Sequence, residues 1–273
     1  MPVKNEIVFY NKHNKMKGET NGYDTDEDEP KKPQQGVSAA LYIQKVFKGF
    51  LLRRSRLPLI LYVIQKFIKT ASFAFSKNND DGRINSCIDE DELLKLLIEK
   101  FGARIVKPSI RMWYDIIVRD SMYGWIPVNI KTTTTLTCDN SGNLTMCVQA
   151  YTDVELNILR KKTYQNGEMS TVLCDKLKKK EYNKKCKKDY YFIVLNKTDS
   201  TDVIINSLKG LTYLTPNSNN LPFQICWNKN RKFAYNNIDM VVQKFIECIK
   251  KPKQSWKEQF VANIRHLEDI HLE

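Results

Sequence analysis

Histidine is nearly missing from this chain: three residues among 273, His13, His266 and His271, all near a terminus. That scarcity argues against histidine-based acid–base chemistry and against a Ser-His-Asp constellation. Cysteine occurs seven times, at 87, 138, 147, 174, 186, 226 and 248, without one CxxC pair. With so few histidines beside them, a structural zinc site is not expected. The ten glycines form no phosphate-cradling loop. No apolar run reaches the length of a membrane span, because Gln65 and Lys66 interrupt the nearest one, LPLILYVIQKFI (57–68). An odd cysteine count without a signal peptide predicts reduced thiols and an intracellular protein of cytoplasm or nucleus. The Asn-Xaa-Thr triplets at Asn143 and Asn196 are then chance matches.

What the chain does have is positive charge. Forty-four Lys and Arg against 31 Asp and Glu leave a formal net charge of +13. Such an excess favours a polyanionic partner, with nucleic acid ahead of an anionic membrane surface. Apolar residues at 42% are enough for a packed core.

Residues 1–36 read as a disordered tail, in which GETNGYDTDEDEPKKPQQG places an acidic block before basic residues. Residues 37–76 read as a basic helical region. Ser38 is placed to cap it, and Leu41, Ile43, Val46, Phe47, Phe50 and Leu51 recur at helical steps among lysines and arginines. IQKVFKGFLLR (43–53) resembles the calmodulin-binding IQ motif through Ile43, Gln44, Lys48, Gly49 and Arg53, with Lys48 where arginine is commoner. The resemblance implies calmodulin or a calmodulin-like protein as a partner. A basic amphipathic helix equally suits phosphates, a membrane surface or packing on its own fold.

After Pro58 a uniformly apolar helix is expected over about 59–75, then a break at KNNDDGR (77–83) and an amphipathic helix over 87–102. Beyond Gly102 the period becomes that of strands: ARIVKPS, RMWYDIIVRD (111–120) and GWIPVNIKTTT (124–134), the last two joined by a hairpin turn at DSMYG. NLTMCVQAYT (143–152) fits a helix, although CVQAY fits a strand equally. KDYYFIVLNKT (188–198) is the clearest buried strand, DVIINSLKGL a strand or short helix, and NLPFQICW (220–227) a further strand. Helices close the chain from Asn236. Strands and helices in this order argue for an α/β core with a mixed sheet after a helical extension.

Within this pattern Asp115 falls on one strand of a hairpin. Asn129 and Lys131 share one face at the end of its partner, with Ile130 pointing the other way. The arrangement resembles the PD-(D/E)XK nuclease signature, an acid followed by acid-X-Lys on the next strand. The downstream order PVNIKTTT, a DN pair, DYYFIVLNK and NLPFQICW is similar to a type II restriction-endonuclease pattern over about 84–230. What the resemblance implies is a restriction-endonuclease-like core over 83–273 and Mg²⁺- or Mn²⁺-dependent hydrolysis of double-stranded DNA. Asp115, the Ile130 carbonyl and the Asn129 side-chain oxygen would hold the metal, with Lys131 orienting or activating the attacking water. Asn129 stands where the family has its second carboxylate. An acid from the preceding helix is therefore expected to compensate, Glu92 first and Glu90 next.

Thr132, Thr133 and Thr134 offer hydroxyls to phosphates. Lys178, Lys179 and Lys180 lie in the densest basic run, which suits either a DNA backbone or a solvated face. Gln149 and Tyr151 read as core, with positioning of the lysine as the sharper role. Trp113, Trp125 and Trp227 read as core, and Asp120 as a turn residue or reserve metal ligand. Two-fold cutting by analogy would call for a homodimer. Lys-, Asn- and Ile-rich usage points to a eukaryote or a large DNA virus infecting one, the virion included. The competing readings are a DNA-binding or DNA-packaging protein on a degenerate nuclease fold, and a calmodulin-binding adaptor.

Overall fold

The computed structural model describes residues 57–71, 73–76, 82–109, 112–159, 164–182, 188–217, 222–250 and 255–264. The expected tail and the IQ-like segment lie outside the described residues. Helix α1 (Leu59–Thr70) follows Pro58, whose fixed φ suits a helix entrance, and buries Ile60, Leu61, Ile64 and Ile68 along one stripe. Helix α2 (Gly82–Phe101) begins five residues before the expected start and stops at Gly102, whose φ of 55° only glycine adopts freely.

Three antiparallel strands come next: β1 (Ile105–Val106), β2 (Ile116–Asp120) and β3 (Gly124–Thr133). A two-residue strand β4 (Cys138–Asp139) and helices α3 (Leu144–Tyr151) and α4 (Asn166–Lys178) lead to β5 (Tyr191–Asn196), which pairs in parallel with β3. Parallel neighbours need a crossover connection, and α3 and α4 are part of it. Strand β6 (Asp199–Ser207) pairs antiparallel with β5, completing a five-stranded mixed sheet of order β1-β2-β3-β5-β6. Strands β7 (Thr215–Pro216) and β8 (Phe223–Cys226) form a small second sheet with β4. Helices α5 (Ile238–Lys250) and α6 (Ser255–Ile264) close the described chain.

Alternation along the strands sorts the core into two layers. Ile126, Val128 and Ile130 of β3 and Tyr191, Ile193 and Leu195 of β5 pack with α1 and α2. Phe192 and Val194 of β5 and Ile117 of β2 pack with α3, α4 and α5 on the opposite face. All six residues of β5 are buried, as a central strand covered on both faces requires. The segment 144–151 is helical rather than extended. Asn143 caps it, accepting the Met146 N–H at 2.8 Å. DVIINSLKGL is strand up to Ser207 and then a single 3₁₀ turn.

The expectation of seven reduced thiols is corrected at one pair. Cys138 and Cys226 are direct partners across β4 and β8 and are joined as a disulfide. Their separation of 88 residues gave no sign of this, because antiparallel pairing, not spacing, brings the two together. Cys87, Cys147 and Cys174 are free thiols. Among the described residues no helix is long and apolar enough to cross a membrane.

One carboxylate holds the hairpin to the helical layer. Asp120 Oδ1 accepts the N–H groups of Met122 at 2.8 Å and Tyr123 at 3.0 Å, while Oδ2 accepts the Ile60 N–H at 3.2 Å. The turn resolves into β3 through Gly124, whose φ is 72°. Asp120→Ala would orphan three backbone donors, the Ile60 N–H at a buried position and those of Met122 and Tyr123 partly buried. The expected cost is about 2–4 kcal/mol of stability, read as a lowered urea midpoint.

Candidate functional site

The register of β3 against β5 fixes where the polar residues gather. Lys131 pairs with Val194 and Thr133 with Asn196, so the carboxyl ends of two parallel strands lie side by side. That edge is where open α/β sheets tend to bind ligands. Asp115 lies just before β2 but already belongs to the ladder. Its N–H donates to Val128 O at 3.1 Å, and its Oδ2 accepts the Ile130 N–H at 2.8 Å. Glu90 reaches the same place from α2. Its Oε1 accepts the Thr132 N–H at 3.2 Å and lies 3.9 Å from Lys131 Nζ.

The three groups feel one another. Burial pushes the Asp115 carboxyl above the usual range, against the pull of the Lys131 ammonium and the Ile130 N–H. Burial likewise raises Glu90, the Asp115 charge adds to it, and Lys131, the Thr132 N–H and Lys197 oppose it. An acidic pair beside a lysine, held at raised pKa, is an arrangement met at functional sites.

Asn129 shares the Lys131 face. Its amide lies against the hydroxyl of the buried Tyr190, which donates to Trp113 O at 2.8 Å, and Asn129 Oδ1 is buried without a hydrogen-bond partner. Burial drives the Tyr190 hydroxyl well above its ordinary pKa, with the Asp115 charge adding to the effect, so it remains a neutral donor.

Two further residues belong here that were not among the expected site residues. Beyond β3 the chain reverses through Thr135, a buried β-branched residue at a φ of 63°, a conformation such residues rarely take. The reversal returns Asp139 to Thr133, whose Oγ1 donates to Asp139 Oδ1 at 3.1 Å. Burial raises the Asp139 carboxyl, and the Thr133 hydroxyl, Trp227, Lys131 and Lys197 oppose that rise. Lys197, one residue past β5, donates its N–H to Thr133 O at 2.9 Å. Asp139 had entered only as half of the DN pair, and Lys197 as the end of a buried strand. Only the parallel pairing makes them neighbours.

The remaining candidates separate. Glu92 is exposed, and Glu90 is the α2 acid that meets Lys131. Thr132 and Thr133 are buried, with hydroxyls directed to Ser86 O and Asp139, while Thr134 is exposed. Lys178 closes α4, and Lys179 and Lys180 follow it, where cations complement the helix dipole. Nearby, Lys176 pairs with Asp153 and Glu181, and Lys188 with Glu155. Gln149 and Tyr151 are buried in α3, and Asp120 serves the turn at the far end of β2. Ile130 points its side chain into the α1–α2 core.

Clefts of about 580 Å³, lined by Asn166, Ser170, Lys178 and Phe260, and about 600 Å³, lined by Leu59, Arg104 and Arg119, lie elsewhere. Neither includes Glu90, Asp115 or Lys131. Among the described residues no three Asp, Glu, His or Cys side chains gather closely enough to enclose a metal ion. No protein-family model matches the sequence, and neither a curated protein nor a solved structure matches it.

The acids leave a pH signature. A carboxyl raised in the folded state binds more protons there than when unfolded. Its stabilising contribution is therefore complete below the ordinary carboxylate pKa and is lost as pH rises through the raised value. Asp115→Asn keeps an acceptor for the Ile130 N–H and removes the charge. The expected outcome is a flatter decline of the urea midpoint above about pH 4 than in the wild type.

Proposed function

We propose that this chain is a metal-dependent endonuclease acting on double-stranded DNA, with a restriction-endonuclease-like core. The observation that carries the reading is the meeting of Glu90, Asp115 and Lys131 at the carboxyl end of β3. The net charge of +13 supports an anionic polymer as substrate.

The donor set fits a hard divalent cation. Asp115 and Glu90 supply carboxylate oxygens, and Asn129 Oδ1 is a buried acceptor that no donor in the fold satisfies. Mg²⁺ commonly uses one or two carboxylates and keeps several waters, so a site without three clustered acids is compatible with it. When bound, such a cation polarises a phosphate and acidifies a water. The chain's own part is to hold a cation, Lys131, beside the phosphate as negative charge builds on it. The Ile130 and Thr132 N–H groups fix Asp115 and Glu90, so both carboxylates are set by the backbone of the strand that bears the lysine.

One observation favours a second reading. Asn129 occupies the position where the resembled signature has an acid, which suits a DNA-binding or DNA-packaging protein that has given up cleavage. Nicking of supercoiled plasmid with Mg²⁺ or Mn²⁺ decides between them. On the nuclease reading Asp115→Ala, Glu90→Ala and Lys131→Ala each lose at least about a hundredfold in rate. Glu92→Ala stays at the wild-type rate, and Asn129→Asp lowers the Mg²⁺ concentration needed. Equal DNA binding by all five variants and the wild type, with no nicking by any, establishes the packaging reading.

A further inference from the structure

Lys197 is held in place from two elements. Its N–H donates to Thr133 O at 2.9 Å, which extends the β3–β5 pairing one step beyond the last registered pair, Thr133 with Asn196. Its ammonium donates to Ser86 Oγ on α2 at 2.5 Å. Ser86 in turn meets Thr132 twice, Ser86 Oγ with Thr132 O and Thr132 Oγ1 with Ser86 O, each at 3.5 Å. The first turns of α2 are thus fastened to the end of β3, and Lys197 is half-buried at that junction.

Lys131 and Lys197 are both drawn towards this edge of the sheet, and each acts on both Glu90 and Asp139. Two ammonium groups converging on one edge need anions to offset their repulsion. The three acids there do so when ionised, and a cation held by Asp115 and Glu90 would leave the lysines a net anion to bind. An ammonium is a compact donor well suited to phosphate oxygens. Lys131 pairs with Val194 on the adjacent strand, three residues before Lys197, so strand rise and spacing set the two Cα atoms roughly 11 Å apart. A ligand reaching both must therefore be extended along that edge.

We propose that Lys197 is a second phosphate-binding cation of this site, contacting a phosphate neighbouring the one at Lys131, so that the ligand is a polynucleotide strand laid across the ends of β3 and β5. The inference rests on the nucleic-acid part of the proposed function and names the residue that would extend its contact.

The test is the salt dependence of binding to a labelled DNA duplex, with Ca²⁺ replacing Mg²⁺ so that binding is read without cleavage. Lys197→Met is expected to weaken binding several-fold, alike on unrelated sequences, and to lower the slope of log K against log salt by about 1. Lys197→Arg restores the slope. Ser86→Ala, which loosens the fastening and keeps the charge, retains it. Lys66→Met, on the exposed side of α1, controls for the change in net charge. A slope for Lys197→Met equal to that of Lys66→Met overturns the proposal, as does an equal fall in Ser86→Ala, which would make the role structural. Nicking by wild type with a Lys197-independent slope sinks this inference and leaves the nuclease reading. A Lys197-dependent slope in a protein that does not nick does the reverse.

Discussion

The parallel pairing of β3 with β5 is the constraint on which the rest of the molecule depends. A parallel neighbour cannot follow through a tight turn, so the chain between them leaves the sheet, builds α3 and α4 on one face, and returns. The return buries β5 on both sides, and alternating residues of that strand knit the two helical layers into one sheet-centred core. The same pairing sets two strand ends side by side. Lys131 and Lys197, 66 positions apart in number, thereby come to act on the same two acids.

Polar groups at this edge are held chiefly by backbone amides. Asp115 takes the Ile130 N–H and Glu90 the Thr132 N–H, so each carboxylate is keyed to β3 itself and not to a mobile side chain. That rigidity has an electrostatic cost, because burial raises all three acids of the cluster. A carboxylate at 129 would add a like charge to the Asp115 and Glu90 pair. The amide in its place avoids that repulsion and keeps an oxygen there, at the expense of charge available to a cation.

Much of this was legible beforehand, for reasons that differ by element. The block YFIVLN has no polar alternation, which marks a strand covered on both faces, and it is β5. The step of two from Asn129 to Lys131 put them on one face with Ile130 opposite, and Ile130 is buried in the α1–α2 layer. Helix starts were less legible: α2 begins at Gly82, inside a stretch that reads as a turn. On α2 the acids at 89 to 92 were indistinguishable by composition, and helix phase, not type, directs Glu90 to Lys131 while Glu92 faces solvent.

By itself the sequence determined the alternation that makes a two-sided sheet, the hairpin that joins Asp115 to the Lys131 strand, and a charge suited to polyanions. These follow from local period and composition, which need no partner. Tertiary structure alone decided that Glu90 is the acid beside Lys131, that Asp139 folds back onto Thr133, that Cys138 meets Cys226, and that Lys197 joins the cluster. The Glu90, Cys138 and Lys197 contacts join segments far apart in the chain, set by strand register and helix phase, so no short window of sequence contains both halves of them; the Asp139 contact spans six residues and depends on the Thr135 reversal.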